Sequence, residues 1–339
     1  MAELLKKLSQ INAVSGNEQD IRDIILEEIK DIADEVTVDT MGNIIALKKG
    51  LNPEKKIAVT ANMDEPGLIV SEITDKGYLK FKLVGKIDPR KLVSKKVLVG
   101  NSGVKGIIGM KAIHLQTRDE RKNVVKPDKL FIDIGETSRE TAGKRVKKGD
   151  YVTFDTEFET LGNTVKGKAL DRSAPCMALI EAFKGEYKND VYACFLTQHE
   201  VGARGAYIVS HRINPDVCLT VWSADTTDMY GCKDDNSGCS VSDGVIISYM
   251  DRALIADKNL TDAMTEEAQR HGIRFQKKVL VPFSSDGGAM QTGADGTRIL
   301  SAAIPCRYSH SPVSIMALGD IAETTEYIRL YLNKIGDIT

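Results

Sequence analysis

The chain has 339 residues, enough for two domains or for one large domain carrying an insertion. Hydrophobic residues make up 42% and charged residues 28%, which places it among globular proteins with a sizeable core and excludes a disordered chain. With 46 basic against 48 acidic residues the net charge is −2 and no long basic run is present, so neither nucleic acid nor a membrane surface is an expected partner.

Ser15 and Glu18 have the spacing of a capping box, and Ile21, Ile24, Ile25, Ile29 and Ile32 follow at helical spacing, predicting a helix from Glu18 to Ala33. Strand-like runs come next at Val36 to Asp39, Asn43 to Leu47 and Ile57 to Ala61, the first two joined as a hairpin through Met41 and Gly42. From Leu68 to Asn163 short alternating runs are broken by Gly, Asp, Pro and Lys. That texture predicts a small β-rich domain, residues 68–163, inserted into an α/β domain made of 1–67 and 164–339. The second half alternates helix and strand. Cys176 to Phe183 reads as a helix, Val191 to Leu196 as a strand, Ala206 to Ser210 as helix and Asp216 to Val221 as strand. Residues 230–243 read as loop, Leu254 to Arg270 as helix, Leu300 to Ile304 as strand and Asp320 to Leu332 as a closing helix. Residues 1–10 lack the apolar core of a signal peptide, and no apolar run nears the roughly 20 residues of a spanning helix. The six cysteines are scattered and read as reduced thiols, so a cytoplasmic location is expected.

Several strand ends carry polar groups: Asn62 and Asp64, Asp171, His199 and Glu200, Asp225, and His310. In an open α/β sheet such ends are where binding and catalytic groups gather. Carboxylates with histidine suit zinc, manganese or cobalt better than calcium. One Asp, one Glu and one His with an open coordination position make a plausible catalytic set. His114, His211 and His271 lie away from these ends and read as surface or core histidines, and Arg204 as a partner in a structural salt bridge. The turn at Asp286 has two readings, pocket lining or helix cap.

Four stretches, NMDEPGLIV, GKALDRS, TQHEVGARGA and IPCRYSHSP, resemble in this order the tetrahedral-assembly (TET-type) metalloaminopeptidases. That family includes glutamyl and deblocking aminopeptidases and cellulase-M-like proteins. The resemblance covers essentially the whole chain. It implies a mixed sheet flanked by helices in the manner of zinc exopeptidases, and an inserted β-rich domain through which copies dimerise and build hollow dodecamers. It also implies removal of residues from peptide N-termini with two metal ions bridged by an aspartate.

The departures from the family pattern cluster. Asp171, Glu200 and His310 match one ion's ligands. Asn62 stands where the first motif has His, and Trp222 where a later strand supplies Asp; Asn is a weak ligand for zinc-like ions and the indole N–H only donates. His199 replaces the glutamate general base and becomes base or fourth ligand. Arg172 replaces the aspartate after Asp171 and is expected to add a positive charge beside it. Asp64, which in the family orients the neighbouring ligand, is expected to hydrogen-bond Asn62 or a backbone group. Asp225 or Asp228 would substitute for a lost ligand only if the strand shifted register. Two readings follow. One is an aminopeptidase with a single zinc, cobalt or manganese ion per chain and altered activity. The other is a non-catalytic homologue without metal, binding peptides or amino acids or serving as a structural subunit beside active relatives.

Overall fold

The computed structural model describes residues 2–232 and 238–338; part of the expected loop at 230–243 lies outside them. Among the described residues an eight-stranded mixed sheet runs in the order Glu35–Val38, Ile44–Lys48, Asp190–Leu196, Lys56–Asn62, Val217–Asp225, Arg298–Cys306, Val245–Met250 and Phe275–Leu280. The four central strands, Asp190–Leu196 to Arg298–Cys306, are mutually parallel. Parallel strands buried on both faces read as continuous apolar runs, which is why these strands were legible as such.

Alternation sorts the side chains between two helical layers. Ile57, Val59 and Ala61 pack in the larger core with Leu179, Phe183, Ile328 and Tyr331 from the helices Leu170–Phe183 and Leu318–Ile338. Ala58, Cys194 and Cys218 face the other way, onto Ala206 and Val209 of the helix Arg204–Ile213 and Met290 of the short helix Gly287–Gln291. Lys56–Asn62 pairs with a strand on each side, and the chain steps from the one neighbour to the other across it. Such a crossing point opens a crevice beyond the carboxyl ends of the strands.

The β-rich stretch forms a closed six-stranded barrel: Gly67–Ile73, Leu79–Val84, Phe131–Asp133, Val104–Gly109, Lys96–Val99 and Tyr151–Phe154. It has its own core around Leu79, Val97, Ile108, Ile132 and Val152.

Three expectations are corrected. The helix after Ser15 spans Gln19–Ile29 and has no side-chain cap, because Ser15 Oγ donates to Asp64 instead and Glu18 turns its carboxylate onto the N–H groups of Gly16 and Gln198. The helix expected from Leu254 starts at Lys258, where Asp257 caps it through the Leu260 N–H. A helix at Ala2–Gln10 and strands at Val245–Met250 and Phe275–Leu280 were not anticipated.

Candidate functional site

The parallel strands end on one edge, with Leu196 opposite Asn62 and Asp225 opposite Cys306. Beyond those ends lies a cavity of about 510 Å³ lined by Asn62, Asp64, Asp171, His199, Glu200, Trp222 and His310. Residues far apart in the chain therefore meet because their strands do.

Asp64 organises the floor. It is buried, and its Oδ1 accepts the backbone N–H of His199 at 2.9 Å. Its Oδ2 accepts the N–H of Glu200 at 3.0 Å and the Ser15 hydroxyl at 2.5 Å. The preceding N–H, on Gln198, goes to Glu18 at 3.1 Å. Three successive amides thus point at two carboxylates, a concave backbone arrangement suited to anions. Gln198 sits at φ 57°, left-handed space that a side chain enters at a cost, and these bonds hold it there. Ala169, two residues before Asp171, and Tyr308 and His310 also have positive φ (49°, 63° and 50°), so strained backbone flanks the pocket on three sides. Asn62 turns its amide onto the Asp64 backbone carbonyl at 3.0 Å, while the Asp64 carboxylate itself goes to backbone N–H groups and Ser15 and not to Asn62.

The ionisable groups pair with one another. His199 Nδ1 lies 3.0 Å from Asp286 Oδ1. Burial alone would lower the imidazole, but the charge and hydrogen bond of Asp286, with Glu200 and Asp64 nearby, raise it to about 10. His310 Nε2 lies 3.3 Å from Glu200 Oε1, and the Phe283 ring meets the His310 ring edge-on at 5.8 Å. Burial raises Glu200 above the usual carboxylate range, opposed by His310 and His199. Asp171, in the first turn of the helix Leu170–Phe183, accepts the His310 N–H at 3.4 Å. Asp225 accepts the Ser309 N–H and Asp228 is paired with Arg307, and neither is among the residues that line the cavity.

Trp222 lines the same cavity as Asp171 and Glu200 while its indole N–H donates to Ser301 Oγ at 3.0 Å. Arg172 is a correction. Adjacent residues on a helix diverge by about 100°, and its guanidinium leaves Asp171 for the carbonyls of Leu8 and Ile11 and for Glu65, which Lys168 also contacts at 2.9 Å. Arg204 is another. It donates to Gln198 Oε1 and has no acidic partner among the described residues. Asp286 resolves the two readings of its turn: it makes no side-chain cap and serves His199. Lys86 and Arg252 also line the cavity.

The profile of the M42 glutamyl aminopeptidases matches residues 42–327. The chain belongs to the M42 glutamyl aminopeptidase family. This M42 chain is 37% identical over 326 residues to a putative aminopeptidase of Acetivibrio thermocellus, covering 95% of each. Its fold matches the TET aminopeptidase of a marine sediment Thaumarchaeota archaeon with a TM-score of 0.95 at 30% identity, over 99% of this chain and 98% of that one. It matches the Pyrococcus horikoshii TET1 peptidase, described as able to assemble into a tetrahedron or a large octahedral shell, with a TM-score of 0.86 at 32% identity, over 98% and 99%.

M42 peptidases are metal-dependent. Among the described residues no group of three or more His, Cys, Asp or Glu side chains is disposed to hold a metal ion. Asp171, Glu200 and His310 share a cavity, but His310 faces Glu200 and His199 faces Asp286.

Proposed function

We propose that this M42 chain binds the N-terminal end of peptides in a pocket held by histidine–carboxylate pairs, with metal-dependent hydrolysis lost. The observation that supports it is the pairing of His199 with Asp286 and of Glu200 with His310. Each imidazole meets a carboxylate where twin-ion chemistry needs free donors, and Asn62 and Trp222 offer no replacement. Asp171, whose carboxylate accepts only the His310 N–H at 3.4 Å, remains to receive an ammonium group. We assign residues 1–67 with 164–339 to the α/β domain and 68–163 to the domain through which copies associate, with one another or with active relatives. The free cysteines suit a reducing, cytoplasmic setting.

The test is repair of the lost chemistry. The wild-type chain should leave aminoacyl-nitroanilides intact, and the triple variant Asn62→His, His199→Glu, Trp222→Asp should gain metal-dependent cleavage. Turnover by the wild type that depends on zinc, cobalt or manganese would sink the proposal. It would favour the second reading, an aminopeptidase with one ion held by Asp171, Glu200 and His310, whose supporting observation is that these three line one cavity.

A further inference from the structure

The cavity is polarised. Asp171 and Glu200 line its floor, and two cations, Lys86 and Arg252, stand exposed at its mouth. Lys86 belongs to the barrel side, directly after the strand Leu79–Val84 and Gly85. Arg252 belongs to the α/β side, in the connection after Val245–Met250. Among the described residues neither side chain makes an ion pair or a hydrogen bond.

The acids nearest to them in sequence are committed elsewhere. Asp251 accepts from Ser285 and from the N–H groups of Ala253 and Leu254, and Asp88 is bound to Arg90. Two exposed cations lining one cavity, one from the barrel and one from the α/β domain, neither with a carboxylate partner among the described residues, describe a place for a carboxylate from outside. Between floor and mouth, Trp222 and Phe283 offer apolar surface for a side chain.

We propose that the cavity takes a short peptide with a free carboxyl terminus, its ammonium end toward Asp171 and its terminal carboxylate between Lys86 and Arg252. This rests on the peptide-binding reading above and adds the far end of the ligand. A free amino acid does not satisfy both ends, because its ammonium and carboxylate share one Cα. An extended peptide gains about 3.3–3.6 Å of reach with each residue. A side-chain carboxylate on the first residue would lie beside Trp222 and Phe283 and not at the mouth.

Trp222 is the sole tryptophan and lines the cavity, so its fluorescence reports binding directly. Three ligands separate the alternatives: trialanine with a free carboxylate, trialanine amide, and glutamyl-alanyl-alanine amide, whose only carboxylate is on a side chain. The acid should bind about fivefold more tightly than its amide, the gain that one or two exposed charge contacts supply. That ratio should fall toward one in Lys86→Gln/Arg252→Gln, a surface change whose folding is checked by its melting temperature. The glutamyl amide should bind like the trialanine amide. Equal binding of acid and amide, or a ratio that survives the double substitution, overturns the carboxylate contact and leaves the peptide-binding reading standing. A glutamyl amide that binds like the acid moves the contact to the side chain and overturns the terminal assignment. Binding of none of the three overturns both.

Discussion

At the scale of single residues, Asp64 bears most on the pocket, because one buried carboxylate fixes the N–H groups of both His199 and Glu200. Asp64→Ala would leave those donors unsatisfied. Each such loss costs about 1–3 kcal/mol, so with two donors the variant should unfold about 2–6 kcal/mol more easily, read by chemical denaturation. A change within about 0.5 kcal/mol, the range of an ordinary surface substitution, would show that the turn holds without it. Gly85 is a second sensitive point. It sits at φ +80°, and a Cβ there would come within 2.9 Å of Glu200 Cβ and Oε2. Gly85→Ala should lower the melting temperature and weaken peptide binding together. Unchanged affinity would mean that Glu200 is not part of the floor that the ligand touches. The strand-end residues of the site were legible because apolar runs stopping at polar groups mark the active edge. Their partners were not: Asp286 is 87 residues from His199, and only the meeting of the short helix Gly287–Gln291 with the strand ends brings them together.

At the scale of elements, the N-terminal helix Ala2–Gln10 is tied to the floor through a buried cluster. Glu65, next to Asp64, binds Lys168 and Arg172, which also hold the Ile11 carbonyl and, for Lys168, the Asn12 side chain. Burial by itself would raise Glu65, but Lys168 and Arg172 hold it below its ordinary value of 4.5. A depressed carboxylate contributes stability that is fully present above about pH 4.5 and is lost as pH falls below it. The acid limb of the unfolding curve should therefore flatten in Glu65→Gln, which at neutral pH should be about 3–5 kcal/mol less stable because two buried cations lose their anion. An acid limb identical to wild type would remove Glu65 from the account. This helix was missed because the capping box at Ser15 pointed to a later start, while Ser15 was already bound to Asp64. The strand Phe275–Leu280 was missed because edge strands half in water lack an apolar run.

At the scale of the whole molecule, the barrel between residues 67 and 154 leaves Ile107, Ile113 and Leu115 more than half exposed, at 54%, 65% and 62%. Apolar side chains grouped on one small domain mark an association surface. Ile113→Asp combined with Leu115→Asp should reduce the mass measured by light scattering without lowering the melting temperature of the α/β domain. An unchanged mass would place the contact elsewhere. The α/β order was legible because the four central strands are mostly apolar, and the β-rich character of the inserted stretch because its runs are short and punctuated; that these runs close into a barrel was not.

The central claim is that His199 with Asp286 and His310 with Glu200 pair at the base and ligand positions of the family's chemistry, so that no metal ion is held there. Elemental analysis of the chain purified without chelator, followed by calorimetric titration with zinc, cobalt and manganese, tests it most directly. The account predicts a metal-free protein and no saturable binding in the cavity. One or two ions bound stoichiometrically, and lost in Glu200→Ala, would contradict it.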